Sequence, residues 1–400
     1  MACARSDGES SAYASCARAV FEAMAGRGPS TWPTPFCNRT GATPPFVVVT
    51  DLDGTVLLRP PAGQPADTGT PPLSEGPAYA ALVRLLEHGC IVVAATGSKL
   101  DSHRRLFWDA LPLEHRRAGR VLMAVETARQ LYRGSPVDGS PVEDEAFEAY
   151  SRAIAPPFAP AVVEQLCGAG CAGLKAFWAD AEGARAAALT AADSPHAEFV
   201  RKYAGSADAR APLVTDDRAH YPRVEIRQSM VVFCGMPVAF SREYHRLPPQ
   251  LDGVVDGRPA GRYCFDCVPV GWSKGLLVDY LTTQTHELVP GHAIALGDQP
   301  AGNDEGLTRR HLSGLPFVSV GEGSAAALPP AHLAACHVTR LSGAAASAAV
   351  LEVLADLLME EEALELTTAA VAELVESVNA AERGSLRGTL DTLDPGLLSR

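Results

Sequence analysis

The sequence predicts an α/β protein with a doubly wound parallel sheet and an inserted α+β unit. Short apolar, β-branched runs at residues 46–50, 90–95 and 120–125 alternate with helical patterns. Two further apolar runs, at 292–296 and 317–320, resume this alternation after a long stretch of different character. Strand, helix and strand in succession indicate right-handed βαβ crossovers, which build parallel sheets.

Local signals define the elements of this core in order. Pro44 and Pro45 precede the first strand, and a helix with Ala81, Leu82, Leu85 and Leu86 on one face ends near Gly89. A second helix is predicted at 101–114. After the inserted unit come a short strand, a helix, two strands and a last core helix, predicted at 268–270, 275–282, 292–296, 317–320 and 345–358.

The inserted unit is distinguished by its pattern. Helical periodicity appears around 145–154, 160–167 and 180–192, whereas 223–227 alternates polar and apolar residues and 230–233 is strand-like. Alternation is typical of an antiparallel sheet with one solvated face. The chain is therefore divided into an N-terminal extension, a discontinuous Rossmann-like core, an α+β cap and an acidic helical C-terminal tail, at residues 1–43, 44–134 with 263–358, 135–262 and 359–400.

Composition excludes some function classes. The 400 residues exceed the usual size of one hydrophobic core, and 47% are hydrophobic, as in globular proteins. The formal net charge of −13 argues against a general nucleic-acid or membrane-surface binder, and no apolar run is long enough to span a bilayer. A cytoplasmic protein is expected; residues 1–43 leave an organellar transit peptide open, and a homo-oligomer is also left open.

The ten cysteines include two close pairs, Cys264 with Cys267 and Cys167 with Cys171. A structural zinc site usually has two close ligand pairs in compact loops. Residues three apart in a strand face opposite sides, which argues against joint ligation by Cys264 and Cys267. Buried reduced thiols are the expected state.

Polar residues follow three of the apolar strands. Asp51 and Asp53 follow the first, Thr96 and Ser98 the second, and Asp298 follows the run at 292–296. Ligands of open parallel sheets bind outside the carboxyl ends of the strands, so these groups should share one crevice. Crowded carboxylates require a cation, and oxygen-only ligands favour Mg²⁺. With Lys274 as a point charge for a phosphoryl oxygen, the set predicts phosphoryl transfer.

Four short stretches then resemble the motifs of the haloacid dehalogenase (HAD) superfamily, in its order along the chain. Asp51-Leu-Asp-Gly-Thr55 is similar to the first motif, Thr96-Gly97 to the second, Lys274-Gly275 to the third, and Gly297-Asp298 with Asn303-Asp304 to the fourth. The inserted unit lies between the second and third motifs, as does the α+β cap of the sugar-phosphate phosphatases in that superfamily. The resemblance spans roughly residues 44–358.

The resemblance implies a role for each matched residue. Asp51 is the implied nucleophile that forms an aspartyl phosphate, and Asp53 the acid and base. Thr55 supports the turn, and Thr96 and Lys274 hold the phosphoryl group. The implied phosphate-binding residues also include Gly54, Thr55, Gly97 and Ser98. The implied Mg²⁺ ligands are the Asp51 carboxylate, the Asp53 backbone carbonyl and Asp298, with Asn303 and Asp304 as further candidates. The spacer 299–302 has four residues where two are usual, which predicts displacement of Asp304.

The expected activity is Mg²⁺-dependent hydrolysis of a small sugar phosphate or phosphoglycerate-type ester. Arg223 and Arg227, with Gln228, Ser229 and nearby His220, are candidates to bind its hydroxyls or a second anionic group; an exposed sheet face is an equally good interpretation. Two alternatives stay open: a phosphotransferase or mutase of the same superfamily, and a non-catalytic phosphate-ligand binding protein with a vestigial site.

Overall fold

The computed structural model describes most of the predicted core and much of the inserted unit. The described residues are 44–58, 70–188, 214–215, 223–227, 229–236, 238–260, 264–308, 315–321, 336–360 and 366–381. The predicted N-terminal extension lies outside them. Two sheets organise this part of the chain, one of eight strands and one of five.

The larger sheet has the order β13-β12-β11-β1-β2-β3-β4-β5. Its first six strands in that order pair in parallel, whereas β4 and β5 are antiparallel at one edge. This confirms the predicted α/β class. Its strands are β1 (Val47–Thr50), β2 (Ile91–Ala95), β3 (Val121–Val125), β4 (Gln130–Gly134), β5 (Pro141–Glu143), β11 (Ala293–Gly297), β12 (Phe317–Ser319) and β13 (Cys336–Val338).

Register brings three strand ends to one level. Thr50 of β1 pairs with Ala94 of β2 on one side and with Leu296 of β11 on the other. The residues that follow these strands therefore emerge side by side at the carboxyl edge of the sheet.

Helices cover both faces of the larger sheet. On one face α1, α8 and α9 pack against side chains such as Val48, Val92 and Met123; on the other face α4 and α7 pack against Val49, Val93 and their neighbours. The helices of the described chain are α1 (Tyr79–Glu87), α2 (Leu100–His103), α3 (Leu113–Arg117), α4 (Glu145–Ile154), α5 (Pro160–Ala188), α6 (Val238–Tyr244), α7 (Gly275–Thr283), α8 (Gly343–Glu360) and α9 (Thr368–Ala381).

The smaller sheet has the order β6-β7-β8-β10-β9. Its strands are β6 (Val214–Thr215), β7 (Arg223–Ile226), β8 (Val231–Cys234), β9 (Val255–Ala260) and β10 (Cys264–Pro269). One face packs against α5 and α6, with Phe177, Phe233 and Phe265 in the shared core. The opposite face contributes Val232 and Val268 to the apolar cluster beside the larger sheet.

The structure differs from the predicted limits of the inserted unit at both ends. β5 pairs with β4, so residues just after 134 extend the larger sheet. Phe147 and Tyr150 of α4 then pack against that sheet. At the other end, β10 is antiparallel to β8 and β9 and belongs to the smaller sheet. Hairpin pairing decides both cases, and the apolar runs alone did not reveal it.

Two helical predictions also change. The predicted helix at 101–114 consists of α2, a π-helical turn at Arg104–Trp108, and the separate α3. The predicted acidic tail contains α9, whose Val371, Leu374 and Val378 are buried in the main core. Residues 366–381 are therefore part of the packed structure.

The described cysteines are free thiols spread over several elements. Cys267 is fully buried, and Cys264 lies on the other face of β10, with its Sγ 3.1 Å from Cys234 Sγ. Among the described residues, the group with metal-ligand geometry contains aspartates alone. None of the described helices has the length and apolar character needed to cross a bilayer.

Leu374→Ala should lower the free energy of unfolding by about 2–4 kcal/mol, because the side chain is 1% exposed within the main core. Chemical denaturation measures the change. Glu376→Ala, at an exposed position of the same helix, is the matched control and should change stability by less than about 0.5 kcal/mol. Equal small effects would mean that α9 is not packed as described.

Candidate active site

A tight turn follows β1 and directs Asp51 into the crevice. The Leu52 carbonyl accepts hydrogen bonds from the backbone N–H groups of residues 55–57. Gly54 has a φ of 80°, a conformation that glycine adopts without steric cost. Thr55 is fully buried and its Oγ1 donates to Asp51 Oδ2 at 3.3 Å. The turn therefore buries Asp51 and fixes one of its carboxylate oxygens.

Lys274 lies at the N-terminus of α7 and joins two carboxylates. Its Nζ is 2.5 Å from Asp51 Oδ1 and 2.7 Å from Asp304 Oδ1, and its side chain is fully buried. A cation is unfavourable at a helix N-terminus, so the two carboxylates must offset both the helix dipole and desolvation.

Glycines allow the fourth motif to approach this lysine. A Cβ at Gly306 would lie 2.5 Å from the Gly275 backbone nitrogen, so the start of α7 and the 3-10 turn Glu305–Thr308 meet without side chains between them. A Cβ at Gly297 would lie 2.5 Å from Asp304 Oδ2. Side chains at these positions would push Asp304 away from Lys274.

Asp304 is in the crevice, although its longer spacer predicted displacement. Residues 299–304 form a turn in which Gln299 O accepts the N–H groups of Gly302 and Asp304 at 3.0 and 3.1 Å. The turn takes up the extra residues. Asp304 Oδ2 also accepts from Gln299 N at 2.9 Å. Oxygens of Asp51, Asp298 and Asp304 all lie within 4.8 Å of one another.

The electrostatics of this group leave an excess of negative charge. Burial, and the nearby carboxylates of Asp304 and Asp298, raise the pKa of Asp51 well above its ordinary value, although Lys274 opposes the shift. Burial disfavours the Lys274 ammonium, but Asp304 and Asp51 outweigh it and raise the pKa of Lys274. One cation thus faces three buried carboxylates, an all-oxygen set that fits a hard divalent ion.

Thr96 occupies the corresponding position after β2. It is 1% exposed, and its Oγ1 accepts the Ser98 N–H at 3.1 Å, which closes a turn around Gly97. A Cβ on Gly97 would lie 3.4 Å from Asn303 Nδ2. The second and fourth motifs therefore meet at Gly97.

The turn after β3 was not anticipated. Glu126, Thr127 and Ala128 all have positive φ, at 49°, 57° and 63°, although none is glycine. Such backbone is strained and is concentrated at functional sites. Thr127 N donates to Thr96 O at 2.9 Å. Within the described residues, the buried Thr127 Oγ1 has no hydrogen-bond partner, and neither does Asn303 Oδ1.

Trp272 anchors the segment that precedes Lys274. Its Nε1 donates to Thr127 O at 2.8 Å, and the Arg129 guanidinium lies 4.7 Å from its ring centroid. The side chain is 1% exposed. Lys274 is therefore held from both sides, by Trp272 before it and by α7 after it.

Asp53 is placed differently from Asp51. Its side chain is 53% exposed and lies 3.0 Å from His103 Nε2. Its carboxylate is not part of the aspartate group around Lys274. This position suits proton exchange with a bound molecule rather than metal ligation by the side chain. Ligation by the Asp53 backbone carbonyl stays a prediction.

Arg227 connects the smaller sheet to the second motif. Its Nη1 donates to the Gly97 carbonyl, and its Nη2 lies 2.6 Å from Glu225 Oε2. The structure describes only the backbone of Arg223, in β7, so its predicted role is untested. Gln228 and His220 lie outside the described residues, and Ser229 is buried.

Asp266 is a buried carboxyl that was not among the predicted site residues. Burial raises its pKa to about 6, against opposing effects of Arg227, Arg258 and Lys274. Its side chain alternates with those of Phe265 and Cys267, which face α5 and α6. Asp266 thus lies on the face of β10 that packs toward the larger sheet. Only the strand pairing of β10 identifies this face, and no local pattern in the sequence indicates it.

Asp266 should make the protein less stable as pH rises. Its folded-state pKa of about 6 exceeds the ordinary 3.8, so its contribution is fully present below about pH 4 and lost as pH rises through 6. Asp266→Asn should therefore match the parent near pH 4 and exceed its free energy of unfolding by about 3 kcal/mol at pH 7. Denaturant titrations across this range test it.

The control for this titration is Asp256→Asn on the neighbouring strand β9, where the carboxylate side chain is 49% exposed. This variant should show no comparable pH-dependent gain. A constant difference between Asp266→Asn and the parent at all pH values would contradict the assignment.

Three of the solved structures similar to this chain are phosphatases by name. Sucrose-phosphatase from Synechocystis sp., in complex with sucrose and phosphate, is 17% identical over 78% of this chain and 97% of that chain, with a TM-score of 0.40. A phosphatase of the haloalkanoate (HAD) enzyme superfamily from Bacteroides thetaiotaomicron is 15% identical over 81% and 97%, with a TM-score of 0.41. Trehalose-6-phosphate phosphatase from Aspergillus fumigatus is 14% identical over 79% and 94%, with a TM-score of 0.39.

No protein-family model matches the chain, and no curated protein matches it. Because the identities are 14–17% and the TM-scores are near 0.4, these likenesses carry no argument about the function of this chain. The function proposed below therefore rests on the residues of this chain.

Proposed function

We propose that this protein is a Mg²⁺-dependent phosphomonoester hydrolase that acts through an aspartyl phosphate at Asp51. One observation carries the proposal: the Lys274 ammonium, fully buried, bridges the carboxylates of Asp51 and Asp304, with Asp298 in the same group. A buried nucleophile, a fixed cation and spare carboxylates are the parts that phosphoryl transfer requires.

The carboxylates of Asp51, Asp298 and Asp304 are the groups that would hold the metal. Their oxygens lie within 4.8 Å of one another, and Lys274 offsets only part of their charge. Bound Mg²⁺ would supply charge neutralisation for the approach of an anionic phosphate to an anionic nucleophile. Asn303 stays a further candidate ligand, because its buried Oδ1 has no hydrogen-bond partner among the described residues.

The chain's own residues account for the remaining steps. Lys274 and the Thr96 hydroxyl hold phosphoryl oxygens while an Asp51 oxygen attacks phosphorus and the bond to the leaving oxygen breaks. Asp53 gives that oxygen its proton. Asp53 then accepts a proton from the water that attacks the aspartyl phosphate, which releases inorganic phosphate and restores both carboxyl groups.

The smaller sheet supports a small, hydroxyl-rich substrate such as a sugar phosphate. Glu225, Arg227 and Asp266 are buried or nearly so, and together they offer both hydrogen-bond donors and acceptors beside the crevice. Such groups reject molecules that leave them unpaired, so they are suited to select among polyols. Arg227 also links the smaller sheet to Gly97, which helps to exclude bulk water from the phosphoryl group.

Asp51→Asn should reduce hydrolysis of p-nitrophenyl phosphate at least about 10⁴-fold, because the amide cannot form the acyl phosphate. Phosphate release in the presence of Mg²⁺ is the measurement. Asp109→Asn, an exposed carboxylate of the same unit, should retain full activity. Activity that survives in Asp51→Asn would exclude the proposed nucleophile.

Mg²⁺ should raise the melting temperature of the parent by a few °C at saturating concentration, because binding stabilises only the folded state. Asp298→Asn should abolish this shift. Glu148→Gln, a partly exposed carboxylate in α4 that lies outside the aspartate group, should preserve it. Mg²⁺ binding without turnover of any phosphate ester would favour the non-catalytic alternative, and phosphate transfer to a sugar hydroxyl would favour a phosphotransferase.

A further inference from the structure

His103 occupies an unusual position for a histidine. It ends the short helix α2 and is 4% exposed, and its Nε2 lies 3.0 Å from both Oδ1 and Oδ2 of Asp53. Within the described residues, the buried Nδ1 has no hydrogen-bond partner. Among the described residues, the Asp53 carboxyl is therefore the group that orients the ring.

The backbone around His103 is rigidly anchored. The π-helical turn Arg104–Trp108 follows immediately, with Asp109 N donating to Arg104 O at 2.8 Å. Phe107 and Trp108 are fully buried, and Trp108 Nε1 donates to Gly139 O at 3.0 Å. Single π-helical turns are frequent at functional sites because they redirect one side chain. Here the turn begins at the residue after His103.

Asp53 is much more exposed than Asp51. Asp51 is fixed by Lys274 and Thr55, whereas the Asp53 side chain is 53% exposed on the turn after β1. An acid that protonates a leaving oxygen must be held within hydrogen-bonding reach of it. Nε2 lies at the same distance from both Asp53 oxygens, so its N–H can fix the orientation of the whole carboxyl group.

We propose that His103 is a positioning residue that holds the Asp53 carboxyl for proton transfer to the leaving group. The inference rests on the proposed hydrolase function and deepens it. His103 does not contact the reacting phosphoryl group; it acts through Asp53. The Nε2–H tautomer follows from the contact with Asp53 and the absence of a described partner for Nδ1.

Two amide substitutions separate this role from general packing. The terminal amide of glutamine reaches about as far as Nε2, whereas that of asparagine reaches only about as far as Nδ1. His103→Gln therefore keeps a donor to Asp53, and His103→Asn loses it while remaining polar. Because Nδ1 has no described partner, neither change removes any other known hydrogen bond.

The test compares kcat/KM for p-nitrophenyl phosphate and benzyl phosphate in the presence of Mg²⁺. Both carry one aromatic ring, but p-nitrophenolate leaves without help, whereas benzyl alkoxide requires a proton. The value of kcat/KM reports the steps up to and including cleavage of the ester bond. It does not report the later hydrolysis of the aspartyl phosphate. His103→Asn should lower kcat/KM for benzyl phosphate about 10–100-fold and for p-nitrophenyl phosphate less than about 3-fold. For His103→Gln, kcat/KM should stay within about 3-fold of the parent value for both esters.

A double-mutant cycle with Asp53→Asn provides the second readout. If His103 acts through Asp53, adding His103→Asn to Asp53→Asn should change kcat/KM for benzyl phosphate less than about 2-fold. His115→Asn, at another buried histidine on α3, should leave the ratio of the two substrates unchanged. Melting temperatures identify any variant that is merely destabilised.

The outcomes are separable. A parent protein that hydrolyses neither ester overturns the proposed function, and this inference with it. A parent that hydrolyses both, combined with equal losses on the two esters in His103→Asn, overturns the positioning role alone. Additive effects of Asp53→Asn and His103→Asn also overturn it.

Discussion

The ion pairs of Lys274 with Asp51 and Asp304 are the constraint on which the site depends. They bring together three distant parts of the chain: the end of β1, the start of α7 and the turn after β11. Removing one partner of a buried ion pair leaves an uncompensated charge in the interior. The free-energy cost of that charge is larger than the stabilisation that the intact pair provides. The close backbone contact between Gly275 and Gly306 allows Lys274 and Asp304 to approach each other.

The smaller sheet completes the site rather than merely covering it. It contributes Arg227, which binds the Gly97 carbonyl, and Asp266, which lies within electrostatic range of Lys274. Its apolar residues share a core cluster with the larger sheet. The groups that would hold a phosphate and the groups that would recognise the rest of a substrate are therefore parts of one packed arrangement.

The sequence predicted those features that depend on local pattern. Apolar runs followed by polar residues located Asp51, Thr96 and Asp298 at one sheet edge, because strand direction and register follow from βαβ connectivity. Features set by pairing between distant segments were missed. These include the placement of β10 in the smaller sheet, which turns Asp266 toward the larger sheet, and the turn that returns Asp304 to Lys274. His103 was missed because a lone histidine in a helical pattern has no distinguishing signal.

The short connection between β10 and α7 links the two sheets mechanically. Pro269 ends a strand of the smaller sheet, whereas Trp272, three residues later, is fixed to the strained turn beside Thr96. Gly271, with a φ of 86°, lies between them. The smaller sheet and the strained turn beside the larger sheet are therefore joined through two intervening residues. Because Lys274 follows two residues after Trp272, the position of its ammonium depends on both sheets at once.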